Sequence, residues 1–239
     1  MKTLGIIGGL GPMATACFLQ QIIEMTDAGT DQEHLDVIVF NRPNVPDRTA
    51  YILDNSKPSP AASMTETAKT LETLGAYCLA APCITSHYVF PEIQRAVGIP
   101  LIHMVEETAK YLKAAGKKRA GILATTGTVH SALFQRALRE RGLDFRIPDE
   151  RHQQTVMKLI YDDIKAGKPA DMGDFATVAG NRRGQGCDSI ILGCTELSVI
   201  KKNEKIGPGF LDAMEVLSKV CIETCGKAVK PEYTHLITL

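Results

Sequence analysis

Short apolar runs rich in β-branched residues alternate with longer stretches of helical period along nearly the whole chain, and this alternation constrains the fold more than any other feature. Leu4–Ile7, Val37–Phe40, Tyr77–Ala80, Leu101–Met104, Ala120–Leu123 and Ser189–Leu192 have the length and composition of buried strands. Helical period follows most of them, over Met13–Thr26, Ser59–Leu74, Glu106–Ala115, Ser131–Arg141, Gln153–Lys165 and Phe210–Cys225. Strands that are apolar throughout need both faces covered, and helices between them supply the cover, so the expected fold class is α/β with mainly parallel sheets.

Two landmarks recur at nearly the same offset, which points to an internal duplication. Gly5-Ile6-Ile7-Gly8-Gly9 is echoed by Gly121-Ile122-Leu123-Ala124-Thr125, and Pro82-Cys83-Ile84-Thr85 by Gly193-Cys194-Thr195-Glu196. The expectation is two similar Rossmann-like lobes related by a pseudo-twofold, residues 1–100 and 101–209, with a last helix over 210–229 returning to the first lobe. The cleft between such lobes, outside the carboxyl ends of the strands, is where a site belongs. A long polar loop, Asn41–Pro60, carries four prolines beside that position, and long loops in compact domains tend to be functional.

Charge narrows the range of partners. With 27 basic and 27 acidic side chains in 239 residues, a broad positive face for nucleic acid or anionic lipid is not expected. Lys117-Lys118-Arg119 and Lys201-Lys202 are short clusters flanking apolar runs, and read as solvated edges. No run approaches the ~20 apolar residues of a membrane helix. Lys2 and the following apolar run resemble a signal peptide, but Gly8, Gly9, Gly11 and Pro12 interrupt it. Seven cysteines, an odd number set mostly in apolar segments, suit a reducing compartment better than a disulfide framework. The expected location is the cytoplasm.

Cys83 and Cys194 each end an apolar strand and enter a turn, where backbone N–H groups and a helix dipole would lower a thiol's pKa. One such cysteine is most simply a small core residue; two in equivalent positions of two lobes would face each other across a cleft. Opposed acid and base is the arrangement that removes a proton from one face of a carbon and returns one to the other.

Together these residues resemble the aspartate/glutamate racemase family of cofactor-independent amino-acid racemases, and within it the aspartate racemase branch. Gly8-Gly9-Leu10-Gly11-Pro12-Met13-Ala14-Thr15 is similar to the family's N-terminal glycine-rich turn, and Pro46-Asp47-Arg48-Thr49 to its substrate loop. Pro82-Cys83-Ile84-Thr85-Ser86-His87 and Gly193-Cys194-Thr195-Glu196-Leu197 are similar to its two catalytic motifs. Glu196 stands where glutamate racemases usually carry His, which favours the aspartate branch.

The resemblance implies a two-base reaction interconverting L- and D-aspartate, with Cys83 and Cys194 exchanging the roles of thiolate and thiol and no pyridoxal phosphate or other cofactor. It also implies a small acidic amino acid as ligand, a homodimer, no metal, and substrate contacts from Met13, Arg48, Ile84, Thr85, Thr125, Thr126, Thr128, Lys165, Thr195 and Glu196. The hydroxyls and N–H groups of the threonines are possible donors to a developing carbanion, and each is equally an ordinary turn or cap residue. Arg48 and Lys165 match the family's carboxylate-binding cations, although Lys165 taken alone is a helix C-terminal lysine. Glu196 either meets the substrate ammonium or caps a helix, and His87 either tunes the Cys83 thiol or is structural.

One position departs from the pattern: the family usually has Asn after the first catalytic Cys, and this chain has Ile84. Losing that hydrogen bond to a charged group costs on the order of 1–3 kcal/mol. A glutamate or other amino-acid racemase, a maleate isomerase-like enzyme on the same cysteine pair, and an acidic-ligand-binding protein without turnover are the alternatives it opens. Two further signals carry less. Gly9-Leu10-Gly11-Pro12-Met13-Ala14 fits a loose dinucleotide fingerprint, but Asn41-Arg42 stands where the acidic ribose ligand belongs. Cys221 and Cys225, one helical turn apart, lack partners for a zinc site and read as core.

Overall fold

The computed structural model describes residues 2–239. Its first half contains β1 (Leu4–Gly8), α1 (Pro12–Met25), β2 (Val37–Asn41), α2 (Arg48–Leu53), α3 (Ala61–Thr73), β3 (Cys78–Ala80), α4 (Phe90–Arg95) and α5 (Met104–Ala114). The second contains β4 (Arg119–Ala124), α6 (Thr126–Ser131), α7 (Leu133–Glu140), β5 (Asp144–Arg146), α8 (Glu150–Lys158) and α9 (Met172–Gly184). It closes with β6 (Ser189–Gly193), α10 (Thr195–Asn203), β7 (Phe210–Asp212) and α11 (Ala213–Thr224).

All named strand pairs are parallel, in sheet orders β2-β1-β3 and β5-β4-β6-β7. The molecule is therefore an α/β fold with two parallel-sheet lobes. The fourth strand has a trace in the first lobe: Leu101 forms a single parallel bridge to Leu79, beside β3 as β7 lies beside β6. The predicted strand Leu101–Met104 is thus corrected to one bridge. His103 caps the next helix by accepting from the Glu106 N–H, which draws Met104 into α5 before a ladder can extend.

Other boundaries are corrected in the same way. Phe210–Asp212, expected to begin the last helix, pairs with β6 as β7, and Asp212 then caps α11 by accepting from the Met214 N–H. The helix expected over Ser131–Arg141 is divided into α6 and α7 by Ala132, which has φ 56°. The helix expected over Gln153–Lys165 changes from α to π at Leu159–Ile164. Within the proline-rich loop, Asp47 caps the short helix α2 by accepting from Ala50 N–H.

One apolar cluster runs between the two sheets and includes Ile6, Phe18, Ile84, Ile122, Phe134, Ile191 and Leu217. Two further clusters cover the other faces, around Ile7, Met64, Leu71 and Leu79 in the first lobe and Leu123, Leu159, Phe175 and Ile190 in the second. Helix α11 packs on α1, α5 and β3 as well as on β6 and β7. The turn after β1 depends on Gly9, whose φ is +89°; a Cβ there would meet the Arg42 backbone at 2.3 Å. That close approach sets the entry to the site. Among the described residues, no helix is long and apolar enough to cross a membrane.

Candidate active site in the interlobe cleft

Cys83 and Cys194 have the same local structure. Cys83 follows β3 with φ −154° and ψ 115° and starts the 3-10 turn Ile84–Val89; Cys194 follows β6 with φ −150° and ψ 141° and starts α10. Since β3 and β6 hold matching places beside the central strands β1 and β4, the fold brings both thiols to one cleft from opposite lobes. The cleft is lined by Leu10, Asp47, Arg48, Thr49, Cys83, Ile84, Thr85, Thr125, Thr128, Tyr161, Lys165, Gly193, Cys194, Thr195 and Glu196. Gly127 lets the lobes approach beside it, because a Cβ there would meet Thr49 Cγ2 at 2.9 Å.

The two thiols differ in their partners. Cys83 Sγ lies 3.3 Å from Thr85 Oγ1. Cys194 Sγ donates to Glu196 Oε2 at 2.8 Å, and Thr195 Oγ1 donates to the same oxygen at 3.1 Å. Burial, reinforced by the Glu196 carboxylate, pushes the Cys194 thiol well above its ordinary pKa. The lowered pKa expected from a helix N-terminus is corrected at Cys194: in a desolvated pocket with an adjacent carboxylate, the dipole is outweighed.

The other carboxylate oxygen, Oε1, faces Lys165 Nζ at 3.8 Å, and that ammonium lies 4.1 Å from the centre of the Tyr161 ring. Burial draws the Lys165 pKa down, but Glu196, with Tyr161 and Cys194, outweighs it and the net shift is upward. Lys165 reaches the cleft from the end of the π-turn, a distortion of helices found frequently at functional sites.

Arg48 is placed in the cleft but is already engaged. Its Nη1 donates to the carbonyls of Val45 and Pro46 and its Nη2 to that of Leu10, leaving buried Nε without a partner. Thr125 caps α6 by accepting from the Thr128 N–H, with the two hydroxyls 3.1 Å apart. Ile84 touches the cleft and is 4% exposed within the shared core.

Two predicted site residues lie elsewhere. Met13 is 72% exposed on the first turn of α1 and does not line the cleft. Thr126 lines a neighbouring groove with Gln153, Met157 and Tyr161. His87 is likewise outside the lining: it is buried and stacks on His103 with ring centroids 4.8 Å apart. Burial, then His103, holds its pKa well below the usual histidine value. It therefore stays neutral and supports the turn after Cys83. Leu10 and Thr49 belong to the glycine-rich turn and the substrate loop read from sequence but were given no contact of their own, and Tyr161 was overlooked; it sits four positions before Lys165, a spacing that brings side chains together on a helix.

The cavity measures about 40 Å³, room for two or three waters.

Known proteins resemble this chain in sequence and in fold. Residues 7–221 match the family model described as Asp/Glu/Hydantoin racemase. The chain is 32% identical to the structure of Picrophilus torridus aspartate racemase, covering 98% of each chain with a TM-score of 0.83. A Pyrococcus horikoshii aspartate racemase homologue, 23% identical, covers 94% of this chain and 99% of its own at a TM-score of 0.78, a likeness of fold. A broad specificity amino-acid racemase, RacX of Bacillus subtilis, is 28% identical over 92% of this chain and 97% of its own length.

Proposed function

The chain belongs to the Asp/Glu/hydantoin racemase family, and on that premise we propose that it interconverts L- and D-aspartate by a two-thiol proton transfer at Cys83 and Cys194. The observation that carries this reading is the pair of cysteines at matching strand ends of two lobes, lining one cleft. A carbon held between them presents one face to each sulfur, as a 1,1-proton transfer requires.

The unequal surroundings of the thiols favour one order for the first step. Cys194, whose protonated form is favoured by burial and by Glu196, serves as the acid, and Cys83 serves as the base that takes the α-proton. The substrate ammonium lands on Glu196, in the place that Lys165 holds. Cys194 gives its proton to the carbanion and is left as the thiolate from which the reverse reaction starts. Hydroxyls of Thr85, Thr125, Thr128 and Thr195 donate to the charge that develops as the Cα–H bond breaks, in a small cavity from which bound substrate excludes water. No cofactor has a part in this scheme.

Lys165, released from Glu196, and Arg48 take the two carboxylates, a division that favours a dicarboxylic amino acid. A second reading, racemisation of a wider set of amino acids, draws support from two observations. Arg48 is spent on three backbone carbonyls, and Ile84 supplies no hydrogen bond to the amino-acid head.

The deciding experiment is NMR in D₂O with reductant and, in separate samples, L-aspartate, L-glutamate, L-alanine and maleate, alongside Cys83→Ser and Cys194→Ser. Deuterium at Cα of aspartate with accumulation of the D-enantiomer, lost in both variants, supports the proposal. Faster exchange of alanine than aspartate moves the assignment to the broader reading. Absence of exchange in all four, with aspartate still protecting the thiols from alkylation, leaves a binding protein.

A further inference from the structure

The site described uses two of the seven free cysteines. Two others lie together in the interior: Cys78 Sγ, at the start of β3, is 3.8 Å from Cys225 Sγ, which ends α11. They are 147 positions apart in sequence and meet because α11 folds back onto β3. Neither function nor core packing alone requires two thiols in contact, since any pair of small apolar residues would fill the space.

We propose that Cys78 and Cys225 are a reversible dithiol/disulfide pair, oxidised by a peroxide of low molecular weight, that staples the C-terminal helix to the strand leading to Cys83. Geometry gives the two sulfurs different roles. Cys78 is wholly buried, while Cys225 retains 7% exposure at a helix end where Lys2 Nζ donates to the Thr224 carbonyl at 3.3 Å. Cys225 is thus the less enclosed residue of the pair and the one placed to meet a small oxidant first, and the lysine ammonium beside it favours the thiolate. A hydrogen bond from Cys78 also draws the Cys225 thiol downward, whereas Cys78 is pushed up.

The Cys225 thiolate attacks one peroxide oxygen and the O–O bond breaks, giving a sulfenic acid and hydroxide, which takes up a proton. Sulfur of Cys78 then attacks the sulfenic sulfur; an S–S bond forms, the S–O bond breaks, and the oxygen leaves as water with the Cys78 proton. Two thiols lose two electrons in total and one peroxide becomes two waters. The sulfurs must close from 3.8 Å to ~2.05 Å, a displacement within reach of side-chain rotation. Cys221, one turn earlier on α11 and fully buried, has no access to the oxidant.

The test treats the intact protein with hydrogen peroxide at rising ratios, quenches with N-ethylmaleimide, and maps peptides without reduction. Cleavage after Glu223 separates Cys221 from Cys225. The expected product joins the Cys78 and Cys225 peptides with the loss of two hydrogens, is reversed by dithiothreitol, and is absent from Cys225→Ser. Oxidised protein should melt on the order of 5–15 °C higher, because the staple closes a long loop. Full alkylation of Cys78 and Cys225 at peroxide levels that already oxidise Cys83 or Cys194 overturns the proposal. A Cys221–Cys225 or Cys83–Cys194 link in place of the expected one also overturns it. The wild-type map decides even if the variant does not fold.

Discussion

Glu196 is the residue on which the electrostatics of the cleft turn, since one carboxylate meets Cys194, Thr195 and Lys165 together. Replacing it by Gln keeps the shape and removes the charge. The alkylation profile of Cys194, followed by mass spectrometry, should then move to lower pH, because a carboxylate that raises the thiol's pKa is gone. Racemisation should fall on the order of 10²-fold, as the ammonium loses its partner; an unmoved alkylation profile would place the cause in burial alone. Ile84 gives the opposite kind of prediction. Its side chain belongs to the shared core, so Ile84→Asn buries an amide among apolar neighbours and should cost roughly 2–4 kcal/mol. That corresponds to a fall in melting temperature on the order of 5–15 °C, readable by calorimetry. At this scale the two cysteines, Arg48 and Glu196 were legible, since each sits in a short motif. The commitment of Arg48 to three carbonyls and the stacking of His87 on His103 were not, because both depend on chain segments that meet only in the folded state.

The elements best read from sequence are those whose apolar pattern is decided locally: β1 and β6 are buried along their whole length and β4 from Ala120 onward, and these stretches read as apolar runs. Short elements were missed for physical reasons. β5, Asp144-Phe145-Arg146, is a partly exposed edge with polar residues on either side of its one aromatic. β7 runs directly into α11, so Phe210 and Leu211, followed by the capping Asp212, look like the first turn of the helix they precede. Helix α9 contains three glycines, which weaken any helical signal. The π-turn at Leu159–Ile164 has no pattern of its own, because one extra residue per turn shifts the register without changing composition. Its effect is nevertheless testable. Deleting exposed Asp162 removes the extra residue, so the segment should return to α-helical spacing with Lys165 still facing the cleft. The expected result is a near-native circular dichroism spectrum and a KM for aspartate within about threefold of the wild type. A KM raised about tenfold would show that the π geometry itself, and not only its register, sets the Lys165 side chain.

At the scale of the whole molecule, the duplication seen as two repeated motifs corresponds to matching sheet orders and to the Leu101 bridge in place of a fourth strand. What sequence could not show is how the lobes are joined at the face formed by α1, α10 and α11. There a cavity of about 170 Å³ is lined by Cys17, Gln21, Glu24, Ser198, Lys201, Lys202, Asp212, Glu215 and Tyr233, among others. Glu215 pairs with Lys201, and buried Asp212 accepts from Ser198 Oγ at 2.8 Å. Burial, together with the Asp212 carboxylate, raises Glu215 from 4.5 to about 7 despite that lysine. A carboxyl with a raised folded-state pKa holds a proton that the unfolded chain has released, so between pH 4.5 and 7 the folded state binds more protons and stability falls as pH rises. The penalty is absent below pH 4.5 and complete above pH 7, where it amounts to about 3 kcal/mol at 1.36 kcal/mol per unit. Urea unfolding at pH 5 and pH 8 should therefore show the wild type losing more stability than Glu215→Gln, by most of that amount. Parallel losses in the two proteins would mean that Lys201 keeps Glu215 ionised throughout, and that the junction between the lobes is insensitive to pH.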